Sequence, residues 1–167
     1  MTKTHIQKNR SDHYSTPVEA YQMIQNYIPK NIRIYDPFYC DGSCAEHLRT
    51  AFPTCEIIHQ DKDAFSWMPE FDMIITNPPY SLKKKCLEWM MSLDKPFCCF
   101  LPGTYLMTKE FSSLPGFENF QFVFTNQRIN CVPRKDVDVS TQSNTYYTII
   151  WYCYKMNLPK QIQWSSK

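Results

Sequence analysis

Between residues 32 and 102 short apolar runs alternate with longer amphipathic ones, and no other feature restricts the possible folds so sharply. IRIYDPF (32–38), CEIIHQD (55–61), FDMIITNPPY (71–80) and PFCCFLP (96–102) are β-branched or apolar and of strand length. GSCAEHLRTAF (42–52), opened by Gly42-Ser43, and LKKKCLEWMMSL (82–93) have helical spacing. A strand that feeds a helix and then another strand closes as a right-handed crossover. The pattern therefore predicts a mostly parallel, Rossmann-like α/β sheet with helices on its faces.

The flanks extend this frame. Val18, Tyr21, Ile24, Tyr27 and Ile28 recur at helical spacing, which predicts an amphipathic helix with Thr16 as N-cap and Pro17 at its first position. Residues 1–13 are polar and basic and read as a flexible arm or an ordered lead-in to a ligand site. After Pro102 a short helical piece (108–113) precedes FQFVFTNQRI (120–129) and TYYTIIWYCYKM (145–156), two strand-like runs expected to pair antiparallel at one edge. The polar loop between them, 131–145, is long for a hairpin, and such loops tend to be mobile or functional. A chain of 167 residues suits a single domain, 1–167, and 43% apolar with 16% aromatic residues can fill its core without disulfides or a structural metal.

Composition excludes several functions. A net charge of +2 gives no overall footprint for a protein held on nucleic acid by phosphate contacts, so any basic surface is local. Candidates are Lys3, Lys8 and Arg10, the run Lys83-Lys84-Lys85, and Arg128 to Lys135; each reads equally as a solvated face. Eight cysteines occur without a secretory leader, several inside apolar runs, so free thiols are expected, and without CxxC or matching Cys/His spacing no metal site is expected. No apolar run approaches the roughly 20 residues of a membrane span, and a soluble, intracellular protein is expected.

Three strand ends carry chemistry. DPFYCDG, Asp36 to Gly42, follows the first strand and precedes a helix, where ligands bind in doubly wound sheets, and Gly42 permits close backbone approach. Without G-x-G-x-x-G or a phosphate-cradling lysine, nicotinamide, flavin and nucleoside triphosphate sites are disfavoured. HQDKDAF ends the second strand with Asp61 and Asp63. A carboxylate there bonds the ribose of an adenosine-containing ligand, Asp61 being better placed, while Asp63-Ala64-Phe65 could meet an adenine ring; one of the two acids could instead cap the next turn. The third strand ends in Asn77-Pro78-Pro79-Tyr80. The prolines deny backbone donors and stiffen the chain, so Asn77's side-chain oxygen and Pro78's carbonyl can act as two fixed acceptors. Two such acceptors suit a planar amino group: holding both N–H bonds favours a tetrahedral nitrogen and frees its lone pair for attack on a methyl group. Tyr80 would stack on the ring that bears it.

These residues resemble the class I S-adenosylmethionine-dependent amino methyltransferases, especially the small adenine-N6 enzymes of phages and large DNA viruses, over most of the chain. The family's cofactor-carboxylate motif is similar to Asp12-His13-Tyr14-Ser15-Thr16-Pro17, its DPFxGxG motif to Asp36-Pro37-Phe38-Tyr39-Cys40-Asp41-Gly42, and its [DN]PP[YF] catalytic motif to Asn77–Tyr80. The resemblance implies a Rossmann-like methyltransferase fold, S-adenosylmethionine as methyl donor, and a cofactor site drawn from Tyr14, Thr16, Pro17, Asp36, Pro37, Phe38, Gly42, Asp61 and Asp63. Two departures stand out. Cys40 replaces the family's first glycine, and about one strand's worth of sequence separates Gly42 from Asn77, so that side of the sheet looks trimmed.

The expected activity is methylation of adenine N6 in nucleic acid, DNA ahead of RNA, with the base flipped into the Asn77 pocket and Lys83, Arg128, Arg134 and Lys135 on phosphates. A homodimer is compatible with the sequence. Alternatives are methylation of a protein glutamine amide, disfavoured because only about 35 residues precede the first glycine motif where those enzymes carry a substrate domain, and a non-catalytic partner subunit, disfavoured because Asn77 is kept.

Overall fold

The computed structural model describes residues 14–125, 127, 129–133 and 148–165. Strand β1 (Tyr14–Ser15) leads into helix α1 (Val18–Gln22). Strands β2 (Arg33–Tyr35), β3 (Glu56–Ile58), β4 (Met73–Thr76) and β5 (Phe97–Pro102) follow, with α2 (Cys44–Ala51) between β2 and β3 and α3 (Lys83–Ser92) between β4 and β5. Helix α4 (Lys109–Ser112) precedes β6 (Gln121–Phe124), and β7 (Val132–Pro133), β8 (Ile149–Tyr154) and β9 (Ile162–Trp164) complete the series.

Seven strands form one sheet in the order β3-β2-β4-β5-β8-β6-β9, while β1 and β7 pair antiparallel in a separate ribbon. Strands β2, β3, β4 and β5 are mutually parallel, β8 runs against both β5 and β6, and β9 is parallel to β6, so β8 alone is reversed. The expected α/β Rossmann-like sheet with antiparallel pairing at its C-terminal end is present. It is trimmed as expected too, since β3 is the only strand between Gly42 and β4.

Helices on both faces explain why the central strands read as unbroken apolar runs. Met73, Ile75, Cys98, Phe100, Trp151 and Cys153 point to one face, against Tyr21, Ile24 and Leu48 of the first two helical segments. Ile74, Phe97, Cys99, Leu101, Ile150 and Tyr152 point to the other, against Cys86, Leu87 and Met90 of α3 and Phe111 of α4. Aromatic tips find backbone partners: Trp151 Nε1 donates to Ala20 O at 2.8 Å and Tyr152 Oη to Pro102 O at 2.8 Å. All eight cysteines are free thiols, with Cys98 and Cys153 facing each other across β5 and β8.

The first helix departs from its prediction. It ends at Gln22 and gives way to a 3-10 turn over Gln25–Tyr27; Pro17 occupies the N-cap, in extended conformation, rather than the first helical position. Thr16 does not cap the helix, because the segment before it is drawn into β1 and its side chain turns inward. Among the described residues no helix is long and apolar enough to cross a membrane.

Candidate active site

The chain leaves β2 for β3 on one side and returns to β4 on the other, which makes the crevice between the carboxyl ends of β2 and β4 a topological switch point. Two loops meet there, residues 36–42 after β2 and residues 77–80 after β4.

Asp36 pins the first loop. Its side chain is buried, at 2% exposure, and Oδ1 accepts from Thr76 Oγ1 of β4 at 2.5 Å. On the other side His59 Nδ1 lies 3.2 Å from Asp36 Oδ2 and 3.1 Å from its carbonyl oxygen, while Nε2 lies 3.1 Å from the carbonyl of Tyr39. Burial alone would push the His59 imidazole down, but the Asp36 charge and the hydrogen bonds to Asp36 and Tyr39 outweigh it and hold the group above its ordinary 6.5. Asp36, expected to face a cofactor, is thus turned inward and ties together the ends of three strands. No motif legible in the sequence gives His59 a role. The signal lay in the parallel register: Tyr35 pairs with Ile58, which brings the next residues, Asp36 and His59, side by side.

Beyond Asp36 the loop takes the backbone course of a glycine-rich turn. Gly42 has φ of 81° and Cys40 has φ of 54°, so Cys40 adopts the left-handed conformation a glycine would take without steric cost. The Tyr39 ring stacks on His59 at 5.0 Å and lies across Gly42, where an added Cβ would come within 2.7 Å of its hydroxyl. Asp41 Oδ1 accepts from Ser43 N at 3.0 Å and Ser43 Oγ at 2.6 Å, starting α2. Pro37 is buried, and Phe38 packs with Phe65 and Trp89.

The segment of Tyr14, Thr16 and Pro17 lies beside this loop, as expected. Ser15 Oγ bonds Ser43 Oγ, and His47 Nδ1 lies 2.7 Å from the carbonyl of Thr16. The Thr16 hydroxyl is fully buried and has no hydrogen-bond partner of good geometry among the described residues. It faces the Tyr21 phenol, which burial, reinforced by Cys44 and Asp36, pushes well above its usual range.

The two acids after β3 separate clearly. The strand ends at Ile58 rather than at Asp61. Asp61 is exposed; Asp63 Oδ1 accepts from Phe65 N at 3.3 Å, and its carbonyl accepts from Ser66 N and Trp67 N, so Asp63 caps the turn that follows. Phe65 is locked between Phe38 and Trp89 under the Lys85 ammonium, 4.2 Å from the ring centre.

In the second loop Pro79 is extended, at φ −60° and ψ 121°, and its carbonyl accepts from Leu82 N at 3.0 Å. Asn77 Oδ1 is buried and has no donor among the described residues, although a buried acceptor left unpaired costs about 1–3 kcal/mol. Pro78 is buried, and Tyr80, half-buried, opens a 3-10 turn that runs into α3. The lysine run, read as a substrate contact, is engaged by the protein itself. Lys83 Nζ donates to Tyr80 O at 3.3 Å, lies 5.0 Å from the centre of the Tyr105 ring and 3.8 Å from Glu110 Oε1, and so braces the loop. Lys84 pairs with Glu88 one helical turn on. Arg128, Arg134 and Lys135, most of the 131–145 loop, and Asp12 and His13 lie outside the described residues. A shallow groove between Asn119, Gln121, Tyr154 and Gln161 sits at the opposite sheet edge and contains none of these groups.

No protein-family model and no curated protein sequence matches the chain. Among solved structures, the chain is similar to a Listeria monocytogenes protein provisionally assigned as a class I S-adenosylmethionine-dependent methyltransferase. That likeness has 13% sequence identity and a TM-score of 0.48, and it spans 95% of this chain and 67% of the other.

Proposed function

We propose that this protein transfers a methyl group from S-adenosylmethionine to the N6 amino group of adenine in nucleic acid, DNA in preference to RNA. The observation that carries this reading is Asn77 Oδ1, a buried acceptor without a donor among the described residues, held on a proline-stiffened loop at the switch point of the sheet. An amino group that donates one N–H to Asn77 and the other to the Pro78 carbonyl satisfies the orphaned acceptor, and the nitrogen lone pair is released from its ring as the methyl group approaches. Tyr80 supplies the face on which the flipped base stacks, and Lys83 holds the Tyr80 carbonyl in place.

The neighbouring loop fits the cofactor. The left-handed Cys40 and Gly42 give the turn the course of a glycine-rich loop, and the exposed carboxylate of Asp61 offers a ribose acceptor. Asp61, rather than Asp63, takes the ribose role, because Asp63 is occupied as a cap. When bound, S-adenosylmethionine supplies an electrophilic methyl group. Asp36 acts indirectly, by fixing the turn. Met107, 82% exposed at the end of the 3-10 segment that follows β5, stands at the same sheet edge and can fill the gap left in a duplex by a flipped base.

The test is incubation of the protein with labelled S-adenosylmethionine and single-stranded or duplex oligonucleotides, followed by nucleoside analysis. Labelled N6-methyladenine is expected. Label in glutamine residues of an added protein would replace the adenine reading, and cofactor binding without transfer to any acceptor would make the chain a binding subunit.

A further inference from the structure

The strongest unexplained group outside the two loops is His59, because among the described residues each hydrogen-bonding neighbour of its ring nitrogens is an acceptor. Nδ1 faces the carbonyl and carboxylate oxygens of Asp36, and Nε2 faces the carbonyl of Tyr39. A neutral imidazole has one bare nitrogen, so in either tautomer a ring lone pair would point at a carbonyl oxygen lone pair. Only the imidazolium donates on both sides. We propose that His59 is a charged clamp, which as an imidazolium fixes the 36–42 turn and thereby sets the protein's grip on its cofactor.

The clamp acts on three elements at once. Its charge balances the buried carboxylate of Asp36, whose other oxygen is held by Thr76 of β4. Its second N–H holds the Tyr39 carbonyl, which also accepts from Gly42 N at 2.9 Å, so the same oxygen links the clamp to the glycine of the turn. The Tyr39 ring then covers the imidazolium face in a stacked, cation-attracting arrangement. The groups around the ring are accounted for. Asp36 comes from the end of β2 and Tyr39 from the turn, and the Asp36 charge also acts on Cys44 of α2, Tyr21 of α1 and Tyr35 of β2, each of which burial first pushes up. On His59's own segment Asp61 is exposed and Asp63 caps the next turn, so neither forms the pair.

Loss of the proton would leave Asp36 buried without its counter-charge and put a lone pair against a carbonyl. The turn would loosen, and cofactor affinity would fall as pH rises through the His59 titration. The consequence for cofactor rests on the reading above; the charged state of the ring does not.

The experiment uses the full chain with 15N-labelled histidine. In cofactor-free protein, both ring nitrogens of His59 are expected to remain protonated above pH 6.5, the ordinary imidazole midpoint, with the amide signals of Tyr39 and Gly42 moving on the same titration at higher pH. S-adenosylmethionine affinity should then decline by up to tenfold per pH unit above that midpoint, the limit for linkage to one proton. His59→Gln should bind more weakly with this decline abolished, and its turnover at saturating cofactor should be nearly unchanged. A His59 that loses its proton at or below pH 6.5, or Tyr39 and Gly42 signals that ignore its titration, would overturn the proposal whether or not the protein binds S-adenosylmethionine. A His59→Gln variant that keeps the pH-dependent affinity of the wild type would overturn it as well. Failure of the wild type to bind S-adenosylmethionine at any pH, with the ring titrating as described, would instead strike at the cofactor assignment and leave the clamp standing.

Discussion

Asn77 and Cys40 are each held in a state that costs the fold energy, and the two differ in what replacing them should do. Asn77 Oδ1 is kept buried without a donor among the described residues, and it is the acceptor on which the proposed activity rests. Asn77→Ala should lower the methyl-transfer rate about a hundredfold to a thousandfold, the usual loss for one preorganised group, while cofactor affinity measured by calorimetry stays near that of the wild type. Cys40 sits at φ of 54°, a left-handed conformation that glycine adopts without steric cost. Cys40→Gly should stabilise the protein by roughly 1 kcal/mol, read as a rise in the denaturant midpoint at unchanged slope. The residue scale is also where the sequence was least legible. Asn77 and Gly42 could be found because their motifs are contiguous. His59 could not, since its role depends on the register of two strands more than twenty residues apart. Thr16 looked like a cap by its neighbours, and only the pairing of β1 with β7 explains why its side chain turns the other way.

At the scale of elements, alternation of apolar and amphipathic runs was enough to place β2 to β5 and α2 and α3, because burial on both faces writes itself into every position of a central strand. Strand β9 escaped notice for the opposite reason: it is three residues long and its pattern is inverted, with Ile162 and Trp164 largely exposed and the polar Gln163 buried. Helix α4 is short enough that its cap governs it. Thr108 Oγ1 accepts from Phe111 N at 3.2 Å and donates to Tyr105 O at 2.7 Å, which stiffens the turn that presents Met107. Thr108→Ala should cost about 1 kcal/mol in an equilibrium denaturation experiment. Met107→Ala, by contrast, should leave stability unchanged and reduce transfer to duplex substrates more than to single strands, which need no unstacking from a helix. Equal loss on both substrates would remove Met107 from the duplex contact.

For the molecule as a whole, the buried pair of His59 and Asp36 gives stability a pH dependence whose sign follows from the direction of the shift. His59 is held above its unfolded value of 6.5, so its contribution is fully present below that pH and is lost as pH rises through the folded value. Thermal midpoints should therefore fall on the alkaline side, and His59→Gln should flatten that limb. The whole-molecule view also explains why the site is easier to recognise than the substrate. The switch-point crevice is fixed by strand order, whereas the basic residues expected to touch a polymer either brace the protein, as Lys83 does, or belong to segments outside the described residues.

The reversed strand β8 has a consequence for how the chain reaches this state. It is inserted between β5 and β6 and pairs residue by residue with β5 from Phe97↔Tyr154 to Pro102↔Ile149. Until residues 149–154 emerge from the ribosome, β5 presents an apolar, unpaired edge at what will become the middle of the sheet. The chain that precedes Ile149 is thus expected to be aggregation-prone, because closure of the sheet depends on contacts distant in sequence and is correspondingly slow. A chain cut before Ile149 should be recovered insoluble, and supplying the missing strand as a peptide should restore part of it to solution.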